Sequence, residues 1–369
     1  MTQQNIENKI LFSTITNGFE QGVSCCKPSY TKIQALKSRI FGNYGFNSRF
    51  ETKRIIEELE CFAPDVVLIH NIHGHDCHLE MLFSYFRRQN IRVIWTFHDC
   101  WAFTAYCTHF TFVKCNAWKS ECCHCPQVRQ YSWFFDRSKK LFQRKKRLLS
   151  GLDMTIVTPS QWLADLVKES FLKDYPVKVI HNGIDLSVFQ PTNSFFREKN
   201  NIPIGKFVLL GVSFGWGERK GLDVFVELSK RLSFEKYQIV LVGTDDSLDI
   251  ILPPSIISIQ CTQNQKEMAE IYTAADLLIN PTREDTYPTV NMESIACGTP
   301  VLTFKTGGSP EIVDDITGAV VECDDVDALV NQIEQIRREY PFSKETCARR
   351  GKMFDKSDRF HEYLDLLLD

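Results

Sequence analysis

NPTREDTYPTVNMESIACGTPVLTFKTGGSPE, residues 280–311, is the stretch whose reading decides the fold. It holds an acid (Asp285), a Tyr-Pro-Thr turn (Tyr287, Pro288, Thr289), a second acid (Glu293), a Gly-Thr-Pro break (Gly298, Thr299, Pro300) and a Gly-Gly turn (Gly307, Gly308). The apolar run at 276–280, with Leu277, Leu278 and Ile279, reads as a strand leading in, and 289–297 as a helix leading out. Strand, polar loop and helix start form a phosphate cradle, because first-turn amides lack intrahelical partners and the macrodipole is positive there. A carboxylate one turn into that helix, Glu293, can accept both hydroxyls of a ribose.

Upstream, GVSFGWGERKG at 211–221 follows another apolar run and opens another helix. Its glycines let backbone approach an anion, and Arg219 and Lys220 bring charge suited to a diphosphate. Cations at a helix N-terminus oppose the dipole, so a bound anion explains the pair better than a solvated face does. Strand-length runs at 207–212, 238–243, 256–259, 277–280 and 300–304 alternate with helical segments at 222–232 and 265–274. An earlier series has strands at 66–70, 93–97, 155–158 and 177–180, and helices at 50–61, 80–89 and 161–170. Repeated strand–helix alternation predicts two open, doubly wound, Rossmann-like α/β domains. At 369 residues, two domains are also expected from length alone. The polar stretch 190–206 reads as the linker, giving domains at 1–190 and 191–350, with terminal helices at 329–339 and 357–368.

Composition is that of an ordinary globular chain, with 43% hydrophobic and 24% charged residues. No apolar run reaches membrane-span length, and the polar start at 1–9 lacks a secretory core, so a cytoplasmic location is expected. Fourteen cysteines then point to reduced thiols or metal ligands rather than disulfides. The net charge of −3 hides an asymmetry: residues through Ile180 carry 24 Lys+Arg against 16 Asp+Glu, and the remainder 19 against 30. A basic first half fits anionic lipid or a phosphorylated acceptor, and the absence of nucleic-acid-binding motifs ranks nucleic acid last.

The basic half carries several clusters. TFHDCW at 96–101 places His98 just past a strand end, with Asp99 beside it to orient the imidazole. HNIHGHDCH at 70–78 holds four histidines after another strand; lining an acceptor-side loop is favoured over metal binding. HNGID at 181–185 reads as a tight structural turn. Cys107, Cys115, Cys122 and Cys125 lie in an aromatic-rich segment with little apparent secondary structure. Four thiolates suit a structural zinc, with Cys123, His109 and His124 as spare ligands, though reduced and partly buried thiols fit the same pattern. WFFDRSKKLFQRKKRLL at 133–149 mixes aromatics with Lys139, Lys140, Arg144, Lys145, Lys146 and Arg147, as basic amphipathic helices at anionic membranes do; a solvated face is the alternative.

The 280–311 stretch resembles the donor-site signature of retaining glycosyltransferases of family four, which share the two-domain GT-B fold with a central cleft. Asp285 and Glu293 have the family's seven intervening residues, followed by Ala296, Gly298, Thr299, Pro300 and Val301. The cysteine loop after His-Asp-Cys-Trp and the His-Asn-x-His-Gly run are similar to a capsule and exopolysaccharide branch of the colanic-acid type. The resemblance implies that Glu293 binds the nucleotide ribose, that Asp285 faces the donor sugar, and that the backbone of Tyr287, Pro288, Thr289 and Val290 meets the diphosphate. It implies that Lys220 binds the diphosphate, with Arg219 replacing an arginine the family carries several residues earlier. It implies that His98 contacts the donor sugar, that the final helix at 351–369 returns to the first domain, and that the acceptor is a lipid-linked glycan at a membrane surface. No catalytic cofactor is called for, since Lys220 and the helix start can take the diphosphate charge. The chain departs from the family in having Asp285 for the usual glutamate and only a weak glycine loop at 17–22. Those departures motivate the rival reading, a non-catalytic nucleotide-sugar-binding scaffold. Another GT-B enzyme, an epimerase or phosphorylase, is the remaining alternative.

Overall fold

The computed structural model describes residues 6–13, 22–250 and 252–369, so most of the glycine loop expected at 17–22 lies outside the described residues. The chain divides into two compact units. One runs to Ile180 and takes in Tyr363–Asp369; the other is His181–Glu362. The division falls ten residues before the linker read from sequence.

In the first unit, β1 (Ile10–Phe12) and β2 (Gly22–Ser24) form a parallel pair. Helices α1 (Pro28–Phe41) and α2 (Arg49–Phe62) precede a parallel sheet ordered β3 (Val66–Ile69), β4 (Arg92–Thr96), β5 (Met154–Thr158), β6 (Val177–Val179). α3 (Leu79–Gln89), α4 (Ser138–Leu149) and α5 (Gln161–Glu169) complete it. Alternation along the strands sorts side chains onto two faces. Val93, Trp95 and Ile156 join a core with Phe83, Phe86, Leu141 and Leu163 of the helices. Ile94, Val157 and Ile180 face the other way and pack against Leu366. These strands are buried on both faces, which is why they read as unbroken apolar runs.

The second unit holds six parallel strands: β7 (Phe207–Val212), β8 (Tyr237–Val242), β9 (Ile256–Ile259), β10 (Leu277–Asn280), β11 (Val301–Phe304) and β12 (Gly318–Val321). Their order is β12-β11-β10-β7-β8-β9. The chain winds outward from β7 in one direction and then returns to start again beside it at β10. Val208, Leu210, Val240 and Leu278 bury against α7 (Gln265–Ala274) and α8 (Thr289–Ala296). Phe207, Leu209, Ile239 and Leu277 bury on the opposite face, with Phe225 and Leu228 of α6 (Leu222–Arg231) and with Leu329 and Ile333. Several elements escaped the sequence reading, among them β12 and a late helix. β12 is short and half exposed, and the helix at Lys344–Gly351 buries only Cys347 and Gly351, so neither shows a strong apolar period.

One expectation changes. The apolar stripe of α4, with Leu141, Phe142, Leu148 and Leu149, faces the core and cannot enter a lipid surface. Its cations are partly engaged: Lys139 pairs with Glu121, Arg144 with Glu80, and Lys145 is buried. The exposed apolar surface lies instead on α1, which turns Gln34 and Ser38 inward and Ile33, Leu36 and Phe41 outward, and on neighbouring Trp133, Phe134 and Phe135. The Trp133 amide donates to the Arg39 carbonyl at 2.7 Å, joining the two surfaces. Among the described residues, no helix is long and apolar enough to cross a membrane.

Leu366 is 3% exposed and packs the sheet face that the other helices leave open. Leu366→Ala is expected to lower the stability of the first unit by about 2–4 kcal/mol, measured by urea unfolding; a loss below about 0.5 kcal/mol would contradict the packing described.

Candidate active site

Strand order builds the donor wall. Ligands of open α/β sheets bind outside the carboxyl ends of strands where the winding direction reverses. Here that point lies between β7 and β10, and the loops after both strands meet there. The Arg283 amide donates to the Arg219 carbonyl at 2.9 Å. Gly221, in the left-handed region at φ 77°, passes so close that a Cβ would lie 2.5 Å from the Pro281 carbonyl oxygen. The Arg283 guanidinium clamps the junction. It forks onto Asp223 at 2.8 and 2.7 Å, reaches Asp324 at 2.6 Å, and donates to the Glu218 carbonyl. This pairing holds the Asp223 carboxyl below its ordinary range against the effect of burial.

On that frame Lys220 Nζ donates to Asp285 Oδ2 at 2.6 Å, both side chains about one-fifth exposed. Behind Asp285, Gly307 adopts φ 55° and presses so tightly that a Cβ would lie 1.7 Å from the Asp285 carbonyl oxygen. That oxygen also accepts from the Gly308 amide at 3.3 Å. Eight residues after Asp285, Glu293 Oε2 accepts from Tyr272 Oη at 2.8 Å. Burial raises the Glu293 carboxyl above its ordinary value, although the Tyr272 and Thr289 hydroxyls oppose the shift. Tyr287 is buried and stacks on His181 at 4.9 Å between ring centroids, and its carbonyl accepts from Asn182 Nδ2 at 3.3 Å. Pro288 caps α8, and Thr289 and Val290 open its first turn. Arg219 is exposed. At the end of β7 the Ser213 hydroxyl is buried with no hydrogen-bond partner among the described residues.

The strand ends of the first unit gather a second group. His70 follows β3 and His98 follows β4, and His70 Nδ1 lies 2.9 Å from His98 Nε2, the rings stacked at 22°. Two imidazoles at that distance share one proton between them, so at least one is neutral. Burial lowers both: His70 to about 4, with His98 adding to the effect, and His98 below its ordinary range, with Asp99 opposing. Asp99 has two further partners. Its Oδ2 meets His73 Nε2 at 2.8 Å and its Oδ1 accepts from the Trp101 amide at 2.8 Å. Burial pushes the Asp99 carboxyl up, but these hydrogen bonds outweigh it and hold the group below its ordinary value. His70, His73, His98 and Asp99 line one small cavity with Trp95 and Trp101. His78 stands apart and caps α3, accepting from the Met81 amide.

Residues 25–188 match the model of Glycosyltransferase Family 4, and residues 206–339 match that of Glycosyl transferases group 1. The chain is 22% identical over 306 residues to WcaC of Escherichia coli (strain K12), described as a colanic acid biosynthesis glycosyl transferase, covering 79% of this chain and 70% of that one. It is 20% identical over 363 residues to a 41.2 kDa protein of the cps region of Klebsiella pneumoniae, covering 96% and 93%. Among solved structures, Anabaena HepE in complex with UDP superposes with a TM-score of 0.65 at 14% identity, covering 86% and 81%. The chain belongs to glycosyltransferase family 4. The fold is GT-B.

Within this glycosyltransferase the sequence-derived residues fall into two groups. Lys220, Asp285, Tyr287, Pro288, Thr289, Val290 and Glu293 converge at the turning point of the second sheet, and Arg219 borders them. His98 belongs to the first unit. Cys107, Cys115, Cys122 and Cys125 lie apart from both and line a separate pocket. Sequence reasoning missed Arg283, Tyr272 and His181. Arg283 sits inside the decisive stretch, and an arginine flanked by acids and turn residues is a signal that could have been read. Tyr272 is far from Glu293 in sequence and no local pattern marks it, whereas His181 opens the HNGID stretch that read only as a structural turn.

If Glu293 accepts two ribose hydroxyls, as the resemblance implies, it must be ionised. Because its carboxyl is raised, donor affinity is present above that shifted value and is lost as pH falls through it. Calorimetry with a nucleotide sugar between pH 8 and pH 5 should show affinity falling toward acid in the native protein. Glu293→Gln should bind about tenfold or more weakly at pH 8 and with a flat profile. An unchanged profile in the variant would remove Glu293 from the site.

Proposed function

We propose that this glycosyltransferase moves a sugar, with retention of anomeric configuration, from a nucleotide diphosphate donor to a lipid-linked polysaccharide intermediate of a capsule or exopolysaccharide. The observation that carries the donor half is the Lys220–Asp285 pair set against the start of α8 at the sheet's turning point. A partly exposed ion pair is worth little by itself, so a diphosphate can take over Lys220 at small cost. The ribose falls to Glu293, and the donor sugar to Asp285 and His98. In transfer, the bond from the anomeric carbon to the diphosphate oxygen breaks and the acceptor hydroxyl bonds to that carbon. The hydroxyl proton passes to the departing diphosphate. Lys220, Arg219 and the first amides of α8 stabilise the charge that develops on the leaving group. The complexes of Anabaena HepE with UDP and with UDP-glucose support a nucleotide-sugar donor. The described context of WcaC and of the Klebsiella cps-region protein supports a polysaccharide acceptor.

For a lipid-linked acceptor, the membrane-facing surface is that of α1 with Trp133–Phe135 rather than α4. Ile33, Leu36, Phe41 and Phe134 are exposed, with exposed Lys32, Lys37 and Arg39 among them. Apolar side chains beside cations match an anionic bilayer surface. The weak glycine loop and Asp285 still favour one rival, a nucleotide-sugar-binding protein without turnover.

Transfer and hydrolysis assays over UDP- and GDP-sugars with lipid acceptor extracts separate the two. Lys220→Ala is expected to weaken donor binding about 10- to 100-fold, and His98→Ala to cut turnover with donor binding intact. Donor binding without turnover under every condition would establish the scaffold. In vesicle sedimentation at low salt, the native protein should pellet with anionic but not neutral vesicles, and Leu36→Ser with Phe134→Ser should abolish it; equal pelleting of both proteins would move the membrane surface elsewhere.

A further inference from the structure

The segment between β4 and α4 is long and irregular. From Thr104 to Gln127 the described backbone contains one short 3-10 turn, Ala117–Lys119. Loops of this length without structure of their own are uncommon in compact domains and usually need something to hold them. Phe110 and Trp118 supply a small apolar centre, both under 4% exposed. Around them one pocket is lined by Cys107, Cys115, Cys122 and Cys125, with Cys123 at its edge. All are free thiols. Cysteines separated by 7, 6 and 2 residues in sequence meet there because the loop doubles back on itself.

From this convergence we propose that Cys107, Cys115, Cys122 and Cys125 bind one structural zinc ion. The sulfur separation supports it. Cys107 Sγ and Cys125 Sγ lie 3.9 Å apart. Two thiolates of a tetrahedral site with about 2.3 Å Zn–S bonds sit about 3.8 Å apart. Among the described residues no group of three or more His, Cys, Asp or Glu already stands at metal-binding separations, so closure on the ion requires thiol rotation. Zinc would cross-link the ends of a loop that begins directly after the His98 strand and so fix that strand's exit. The site is independent of the donor reading, and neither falls with the other.

The test is metal analysis of the full-length protein, expressed with zinc supplied and purified without chelator. About one equivalent of zinc is expected. Cys122→Ser and Cys125→Ser should lose it, while Cys61→Ser and Cys261→Ser, on exposed thiols elsewhere, should keep it. Exchange of the native protein into Co2+ should give the thiolate charge-transfer and intense visible bands of tetrahedral cobalt, a readout that stands even if the loop variants do not fold. Zinc below about a tenth of an equivalent, iron in its place, retention in Cys122→Ser, or a cobalt spectrum without thiolate bands would each overturn the proposal.

Discussion

Arg283 is the interaction on which the donor wall depends. Two loops leave the same edge of the sheet from β7 and β10, and each carries part of a charged site. Left to themselves, Lys220 and Asp285 would be solvated side chains on independent loops. The Arg283 guanidinium, one-tenth exposed, binds Asp223 at the start of the helix after β7 and Asp324 after β12, along with the Glu218 carbonyl. A planar fork with five donors can satisfy that many acceptors at once, which a lysine ammonium cannot. Gly221 and Gly307 then permit the close approach, since any side chain there would overlap the facing backbone.

The same economy of space appears in the first unit. His70 and His98 come from adjacent strand ends, so the pitch of the sheet alone brings their rings together. Burial keeps both near neutrality, and neutral imidazoles can donate to and accept from sugar hydroxyls. His73 and Asp99 form a separate pair whose role is to fix the turn after β4 through the Trp101 amide. Four histidines close in sequence therefore divide among different tasks: His70 with His98, His73 with Asp99, His75 against Ser38 and Tyr44, and His78 capping α3.

Amphipathicity also proved ambiguous without packing partners. The helix at 138–149 and the helix at 28–41 both carry apolar residues and cations. The first buries its apolar stripe against Trp101 and its neighbours, while the second points Gln34 and Ser38 inward. Sequence period reports that a helix has two unlike faces; it does not report which face the fold covers.

The sequence by itself determined the alternation of strand and helix, the two-unit α/β architecture and the residues of the donor loop. Each of these is written in local signals: apolar runs of strand length, glycines where backbone must turn, and acids and cations placed at helix starts. Only the tertiary structure decided that Lys220 pairs with Asp285, that Tyr272 holds Glu293, that His70 meets His98, and that four scattered cysteines share one pocket. Those contacts join residues 18 to 65 positions apart, and strand order and loop folding, not any nearby pattern, set the distances between them.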